Sequence, residues 1–363
     1  MKNSNFFPKI IFITLISCYC NQSFAQGDVT ELIKSGPLDA TKMAKAYFNP
    51  FFKGFGFGMN SGWYNSAKAK NLGRFDIKFQ ATAAIVPTSD QSFDIRTIGL
   101  SNKTRLRNPS NFLAPTAFGS KDDGPEMVLY DDNNTEIASF NMVPGSGFNY
   151  VPSPQVQITA GIIKNTDVSL RFTPKIGIGS TGDVQILGLG IKHEITKLVM
   201  PGKTEKIIPI DIAIAASYSQ ISLNYGIAVA DQLNDDPNNS GQDLNQRIEA
   251  KFSGYSFDAI VSKKLAIFTP FFSIGYNSAK TDLGLLGQYI VRTKAPSLAN
   301  PLPNSSDKFT TFTDPVIIKQ NDISGIRSSL GFSLHLAFFR LYGAYNLGEY
   351  QAVTVGIGLG IGK

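Results

Sequence analysis

Cysteine is almost absent from this 363-residue chain: there are two, Cys18 and Cys20, both ahead of Ala25. Without the first 25 residues the chain has no thiol, which excludes disulfides, cysteine-ligated metals and thiol catalysis together. Histidine is as scarce, with only His193 and His335, and neither has a second histidine two or four residues away to make a metal-binding face. No segment supplies about 18 uninterrupted apolar residues, so a helical membrane span is excluded. Charge is low, at 17% of residues. Basic residues are interspersed with acidic ones and no Lys/Arg run lies beside aromatics, which gives nucleic-acid binding no support.

The N-terminus carries a pattern of its own. Lys2 and Lys9, the apolar run from Ile10 to Ile16, and Ser23-Phe24-Ala25 read as a secretory signal peptide over residues 1–25 with cleavage after Ala25. A rival reading is a lipobox at Leu15-Ile16-Ser17-Cys18, which would acylate Cys18; the short apolar run before it and the good downstream site favour Ala25. Cleavage would lower the formal charge from +6 to +4 by removing Lys2 and Lys9. An exported chain without disulfides needs another source of stability, and a closed sheet is one.

Residues 28–48 form the convincing helical region: Asp28 with Glu31 as a capping pair, an apolar face of Val29, Leu32 and Ile33, then Met43, Ala44, Tyr47 and Phe48 after Gly36-Pro37. After Pro50 the helical period stops. The division expected is a signal peptide (1–25), a helical plug or periplasmic segment (26–50) and a β-barrel (51–363).

From there, alternation with period two dominates. In "RFDIKFQATAAIV" (74–86), Phe75, Ile77, Phe79, Ala81 and Ile85 oppose Arg74, Asp76, Lys78, Gln80 and Thr82. In "VTVGIGLGIGK" the apolar residues oppose a row of glycines. "GIGSTG" (177–182) matches the glycine spacing of a dinucleotide-binding turn, but Leu187, Leu189 and Ile191 alternate with Gly188, Gly190 and Lys192. A strand therefore follows where a phosphate-gripping helix should begin, and the motif reads as a hairpin turn. Such strands exceed the usual soluble length of about 5–6 residues and meet the roughly 9–11 of a tilted transmembrane strand. Together with the signal peptide and the aromatics near strand ends (Trp63, Tyr64, Phe271, Phe272, Tyr342, Tyr345, Tyr350), this favours an all-β antiparallel transmembrane barrel of about 12–14 strands, fourteen preferred, over a soluble sandwich. Apparent phase breaks near Ser219–Gln220 and Gly254 read as turns or bulges. The polar stretches 121–126, 231–246 and 293–315 suit external loops.

The chemical motifs are weak. "PGKTEK" (201–206) has Lys197 where a P-loop needs its first glycine. The loop 236–247 places Arg247 where a calcium loop needs glutamate. No G-x-S-x-G elbow exists, so a barrel hydrolase rests on His335 and scattered serines alone. Strand parity sends Arg74, Asp76, Lys78, Arg171, Lys192, Glu194, Asp211, Arg247, Glu249, Lys251 and Arg327 into the lumen. Their mixed sign favours an ion-pair ladder over a selective passage.

The stretches "DVTELIKSGPLDATKMAKAYFNPFFKGFGFGMNSGWYNSAK", "LGRFDIKFQATAAIVP", "PTAFG" (115–119) and "GLGIKHEITKLVMPG" followed by "IPIDIAIAASYS" resemble a family of outer-membrane β-barrels of the Bacteroidota with no established activity. That family is distantly similar to the long-chain fatty-acid transporter barrels, which have fourteen strands and a helical plug. The resemblance covers essentially the whole chain after residue 25 and implies a barrel fold and an outer-membrane location; with the catalytic motifs weak, no enzymatic activity is expected. The function expected is passive transport of a hydrophobic or amphipathic small molecule, with a structural or assembly role around a filled lumen as the alternative. The partners expected are outer-membrane lipid, a hydrophobic small-molecule ligand and the outer-membrane assembly machinery, with no cofactor and no metal. Arg327, His335, Arg74 and Lys78 are the lumen residues expected to meet a ligand's head group, and Tyr47 and Phe48 the plug residues expected along its tail.

Overall fold

The computed structural model describes residues 32–178, 181–200, 209–227, 244–294, 309–336 and 338–361. The expected signal peptide with Cys18 and Cys20, the Asp28–Glu31 pair, Gly179 and Ser180 of the hairpin turn, the 201–206 stretch and most of the 231–246 and 293–315 loops lie outside the described residues.

Ten strands make one closed antiparallel barrel. They are β1 (Phe75–Ile85), β2 (Tyr150–Ile163), β3 (Thr166–Ile178), β4 (Gly182–Glu194) and β5 (Asp211–Gly226), followed by β6 (Arg247–Ser262), β7 (Phe268–Leu286), β8 (Val316–Leu336), β9 (Phe339–Leu347) and β10 (Gln351–Ile361). Each strand pairs with its neighbours in sequence, and β1 pairs with β10 from Phe75↔Ile361 to Ile85↔Gln351, which closes the ring. Ile178↔Gly182 pairing places 177–182 at the end of the β3–β4 hairpin, as the alternation requires. The long connections 86–149, 227–246 and 287–315 share one end, here the long-loop end, and 164–165, 263–267 and 337–338 the other, the short-turn end.

The count is ten strands, below the twelve to fourteen expected, for two reasons. Residues 86–149 and 287–315 spend their alternating runs on small sheets outside the barrel ladder, pairing 92–94 with 113–115, 126–130 with both 104–106 and 136–141, and 288–292 with 309–313. The stretches 268–286 and 316–336 are single strands of 19 and 21 residues.

Along the short-turn two-thirds of the barrel, facing follows the expected parity. Leu187, Leu189 and Ile191 point outward while Lys192 and Glu194 are buried inside, and outward Ile326 and Leu330 of β8 are 71% and 66% exposed beside buried Arg327 and Ser329. Towards the long loops the sense reverses without a break in register. β5 runs through Ser219–Gln220 and β6 through Gly254 with regular pairing, but Ile221, Ala250, Phe252, Ile318 and Leu285 now point inward while Lys251, Lys280, Asp282 and Lys319 point outward. The phase breaks are therefore changes in which face is apolar. Consequently Arg247, Glu249 and Lys251, expected in the lumen, lie on the outer side of β6, because Ala250 and Phe252 take the inner positions. The aromatics near strand ends also divide differently: Trp63, Phe271, Tyr342 and Tyr350 are buried, and only Phe272 and Tyr345 of the expected set are exposed. The outward aromatic patch is instead Tyr218, Tyr255 and Tyr276 on adjacent strands.

What imposes the reversal is helix α1, Pro37–Asn60, inside the long-loop half of the barrel. It runs through Pro50, ten residues beyond the expected end of the helical segment. An interior proline costs about 3 kcal/mol, and aromatic packing offsets it: Phe51, Phe52 and Phe55 have ring centroids 5.8, 6.4 and 5.0 Å from Phe252 on the wall. The alternation of "FKGFGFGM" imitates a strand, yet on a helix its glycines serve two faces. A Cβ on Gly54 or Gly58 would sit 2.6 Å from Val151 Cγ2 or 2.7 Å from Ser153 Cβ of β2, and one on Gly56 would sit 2.6 Å from Ala279 Cβ of β7. Above the helix N-terminus the 86–149 segment forms a cap, with Met43 buried among Ile95, Ala114, Met127 and Met142. Buried Asp39 accepts from Ser101 N (2.9 Å), Ser101 Oγ (2.6 Å) and Thr104 Oγ1 (2.7 Å).

Inward glycines in the wall provide the same clearance elsewhere. Gly188 and Gly190 of β4 lie against Trp63 and Tyr64, and Gly358 and Gly360 of β10 against Tyr342 and Arg340. A Cβ at Gly190 would meet Tyr64 Oη at 2.6 Å and Trp63 Cε3 at 2.9 Å, whereas one at Gly325 meets nothing within 4 Å. Gly190→Ala should therefore destabilise the barrel by about 1–3 kcal/mol, while Gly325→Ala should be neutral or slightly stabilising. Unfolding midpoints of the two variants in detergent check this, and equal midpoints would contradict the clearance argument.

Candidate functional site

Below the helix, residues 61–74 descend through the lumen to β1, and the wall grips this descent by its carbonyls. Gln155 Nε2 donates to Gly58 O (2.7 Å), Arg171 Nη1 to Met59 O (2.7 Å) and Arg327 Nη1 to Asn60 O. Arg171 Nη2 donates to Ser61 O (3.0 Å), Lys78 Nζ to Gly62 O (2.6 Å), and Gln157 Nε2 to Trp63 O (2.9 Å). Six successive carbonyls at and beyond a helix C-terminus, where backbone acceptors run short of intrahelical partners and the dipole end is negative, thus receive side-chain donors, four of the bonds from cations, and Gly58 O also accepts from Ser61 N at 3.1 Å. Arg171 also lies 3.8 Å over the Trp63 ring, and among the described residues neither it nor Lys78 forms an ion pair. The inward cations act here less as a ladder of ion pairs than as clamps on the plug.

Nearer the short-turn end, true ion pairs form. Lys192 meets Asp167 at 3.0 Å and donates to Ser66 O and Lys68 O. Lys68 meets Glu194 at 2.9 Å and Asp211 at 3.3 Å. Asp76 is shared by Lys70 (3.0 Å), Arg340 (3.2 Å) and the Tyr342 hydroxyl (3.1 Å). Between these groups lies a cavity of about 530 Å³, with Trp63, Tyr64 and Lys78 on its inner side and Arg74, Lys264 and His335 among its rim residues. That volume lies in the range of small-molecule sites, about 300–1,000 Å³.

The structure brings together three of the six residues expected to contact a ligand: Arg74, Lys78 and His335 all line this cavity. Arg327 does not. It is buried against Asp258, at 2.8 and 3.1 Å, beside a void of only about 10 Å³, room for no more than one water. Tyr47 and Phe48 belong to the other end of the lumen: the Tyr47 hydroxyl donates to Pro144 O at 2.9 Å and its ring packs edge-on against Phe48. A single site with its head group at Arg327 and its tail along Tyr47 and Phe48 is therefore not assembled. Of the histidines, His193 is on the outer surface, 2.9 Å from Thr166 Oγ1, and His335 Nδ1 is buried with no hydrogen-bond partner among the described residues.

Sequence reading missed Lys68, Lys70, Lys264, Arg340 and Tyr342. Arg340 and Tyr342 were within reach, since Leu341, Gly343 and Tyr345 alternate with them on β9. The lysines of 61–74 were not, because that segment has no periodicity to assign a face.

Arg171→Met should leave the Met59 and Ser61 carbonyls without donors and cost about 2–4 kcal/mol. Arg171→Lys should recover only part, because one ammonium cannot reproduce the two-pronged fork. Limited proteolysis of the folded barrel, read as cleavage within residues 50–70, checks the order wild type, Lys, Met.

The chain matches, over residues 1–361, the family described as "Family of unknown function (DUF6588)", and it belongs to that family. No curated protein matches it. Among solved structures it is similar to the outer membrane transporter YddB from Escherichia coli, at 10% identity and a TM-score of 0.30 over 80% of this chain and 41% of that one. It is also similar to the outer membrane protease OmpT from Escherichia coli, at 9% identity and a TM-score of 0.30 over 82% and 100% of the two chains. A third similarity is to the Pseudomonas putida toluene transporter TodX, at 7% identity and a TM-score of 0.28 over 86% and 97%. No residue role passes from these proteins to this chain.

Proposed function

We propose that this member of the DUF6588 family is an outer-membrane barrel that admits a small amphipathic molecule to the short-turn half of its lumen and passes it on when the plug shifts. The observation that carries the reading is the asymmetry of the lumen. A ligand-sized cavity lined by both aromatic and charged side chains fills one half, and a helix packed to the wall closes the other. Membrane placement is supported by the outer face. On β7 the apolar outward residues run from Phe268 to Tyr276 before Lys280, and on β8 from Leu336 back to Ile326 before Asn321. These spans match the roughly 9–11 residues a tilted strand needs to cross a bilayer. In water such a belt would be an aggregation liability, whereas in lipid it is the stabilising surface.

Leu189→Arg, in the middle of the belt, should cost about 2–4 kcal/mol in bilayers, while Ser278→Arg, past the apolar stretch of β7, should cost under about 1 kcal/mol. Urea unfolding in lipid vesicles measures both, and similar costs would sink the membrane placement. For the transport step, Ser333→Phe should fill the cavity from β8. Native mass spectrometry of protein in mild detergent should show a small-molecule adduct on wild type that this variant lacks, and cells carrying only the variant should lose uptake. An adduct that persists unchanged in the variant, or uptake that survives it, would leave a structural role for the barrel.

A further inference from the structure

The charges around the cavity do not balance. Among the described residues its walls hold seven Lys and Arg side chains against three aspartates, and Glu194 adds one carboxylate just beyond through Lys68. With His335 neutral, three positive charges are left over. Lys192 is matched by Asp167 and Lys68 takes two carboxylates, Glu194 and Asp211, so four cations lack a carboxylate of their own. Asp76 serves both Lys70 and Arg340. Lys78 is held by three neutral oxygens, Gly62 O, Trp63 O and Asn65 Oδ1. Arg74 and Lys264 form no ion pair among the described residues. Beside them, His335 is the cross-strand partner of Arg340 and carries a buried ring nitrogen with no hydrogen-bond partner among the described residues.

Lys78 is buried and Lys70, Arg74 and Arg340 are half-buried, where like charges repel through a medium of lower effective dielectric than water, so this uncompensated group raises the energy of the empty site, while exposed Lys264 is screened by solvent. An anion that enters relieves that repulsion and gains charge-assisted hydrogen bonds from Arg and Lys. We propose that the short-turn cavity is a binding site for an organic anion bearing carboxylate or phosphate groups, its charged end held among Arg74, Lys264, Arg340 and His335. The aromatic walls at Trp63, Tyr64 and Tyr342 are the contact surface for the remainder of the molecule. The inference rests on the cavity being the ligand site of the reading above, and names the ligand's charge and anchor.

Trp63 is the only tryptophan in the chain and stands in the cavity wall, so its fluorescence reports this site alone. The full chain in neutral maltoside micelles at low salt is titrated with citrate, inorganic phosphate, dihexanoyl phosphatidic acid and, as the neutral control, glycerol. A saturable change in Trp63 emission with at least one anion and none with glycerol is expected. The dissociation constant should rise tenfold or more in Arg74→Gln/Lys264→Gln, whose replaced side chains hold no hydrogen-bond or ion-pair partner among the described residues and so should leave folding intact, as heat-modifiable migration on gels will verify. The free acids and the lipid phosphate distinguish a soluble ligand from a lipid head group. Equal responses to anions and glycerol, no response to any anion, or an unchanged constant in the double variant would overturn the anion site. Any of these would leave the membrane placement standing, since that is read from Leu189→Arg.

Discussion

A helix is about 10 Å wide with its side chains, and a ten-stranded barrel that is to hold one must remove atoms wherever backbone meets wall. Gly54 and Gly58 do this towards β2, and Gly56 towards β7. The remaining faces carry Phe51, Phe52 and Phe55, which seal the gap to Phe252. Once the helix is inside, its C-terminal carbonyls face a lumen where unmet acceptors are costly, and Arg171, Arg327 and Lys78 meet them. Most of the interior chemistry of this barrel follows from holding that helix.

The same constraint sorts the charged residues into two kinds. Arg171 and Arg327 are committed to the plug backbone or to Asp258, and the space around Arg327 admits nothing larger than water. Nearer the short turns the plug has thinned to a single extended segment. The wall side chains there no longer have enough backbone and carboxylate acceptors to satisfy them, and a cavity with surplus cations results. The functional half of the lumen is thus the half the helix does not reach.

Glycine connects the two halves. The stripe Gly356, Gly358, Gly360 on β10 looks in sequence like mere smallness on an inner face, yet Gly358 and Gly360 are the floor over which Tyr342 and Arg340 cross from β9 to reach Asp76. Gly188 and Gly190 likewise receive Trp63 and Tyr64, which places the sole tryptophan against both the Arg171 clamp and the cavity.

Alternation along the chain was enough to read antiparallel strands and which face of β1, β4 and β10 is apolar, because a period of two leaves no other way to separate Leu187, Leu189 and Ile191 from Lys192 and Glu194. It also located the inward cations Lys78, Arg171 and Arg327. Three further matters depend on contacts that exist only in the folded barrel. Residues 51–60 are helical, although their phenylalanines and glycines alternate like a strand, since packing against Phe252 outweighs local pattern and an interior proline. Arg247, Glu249 and Lys251 face outward, because the buried helix makes the inner face of β6 apolar at that height. Arg74, Lys264, His335 and Arg340, spread over some 270 positions of sequence, meet at one rim because closure of the barrel brings β1 beside β10 and β9 beside β8. Periodicity records which face a residue takes, while which residues share a level and an end depends on strand register and ring closure, and those are set by contacts between segments far apart in the chain.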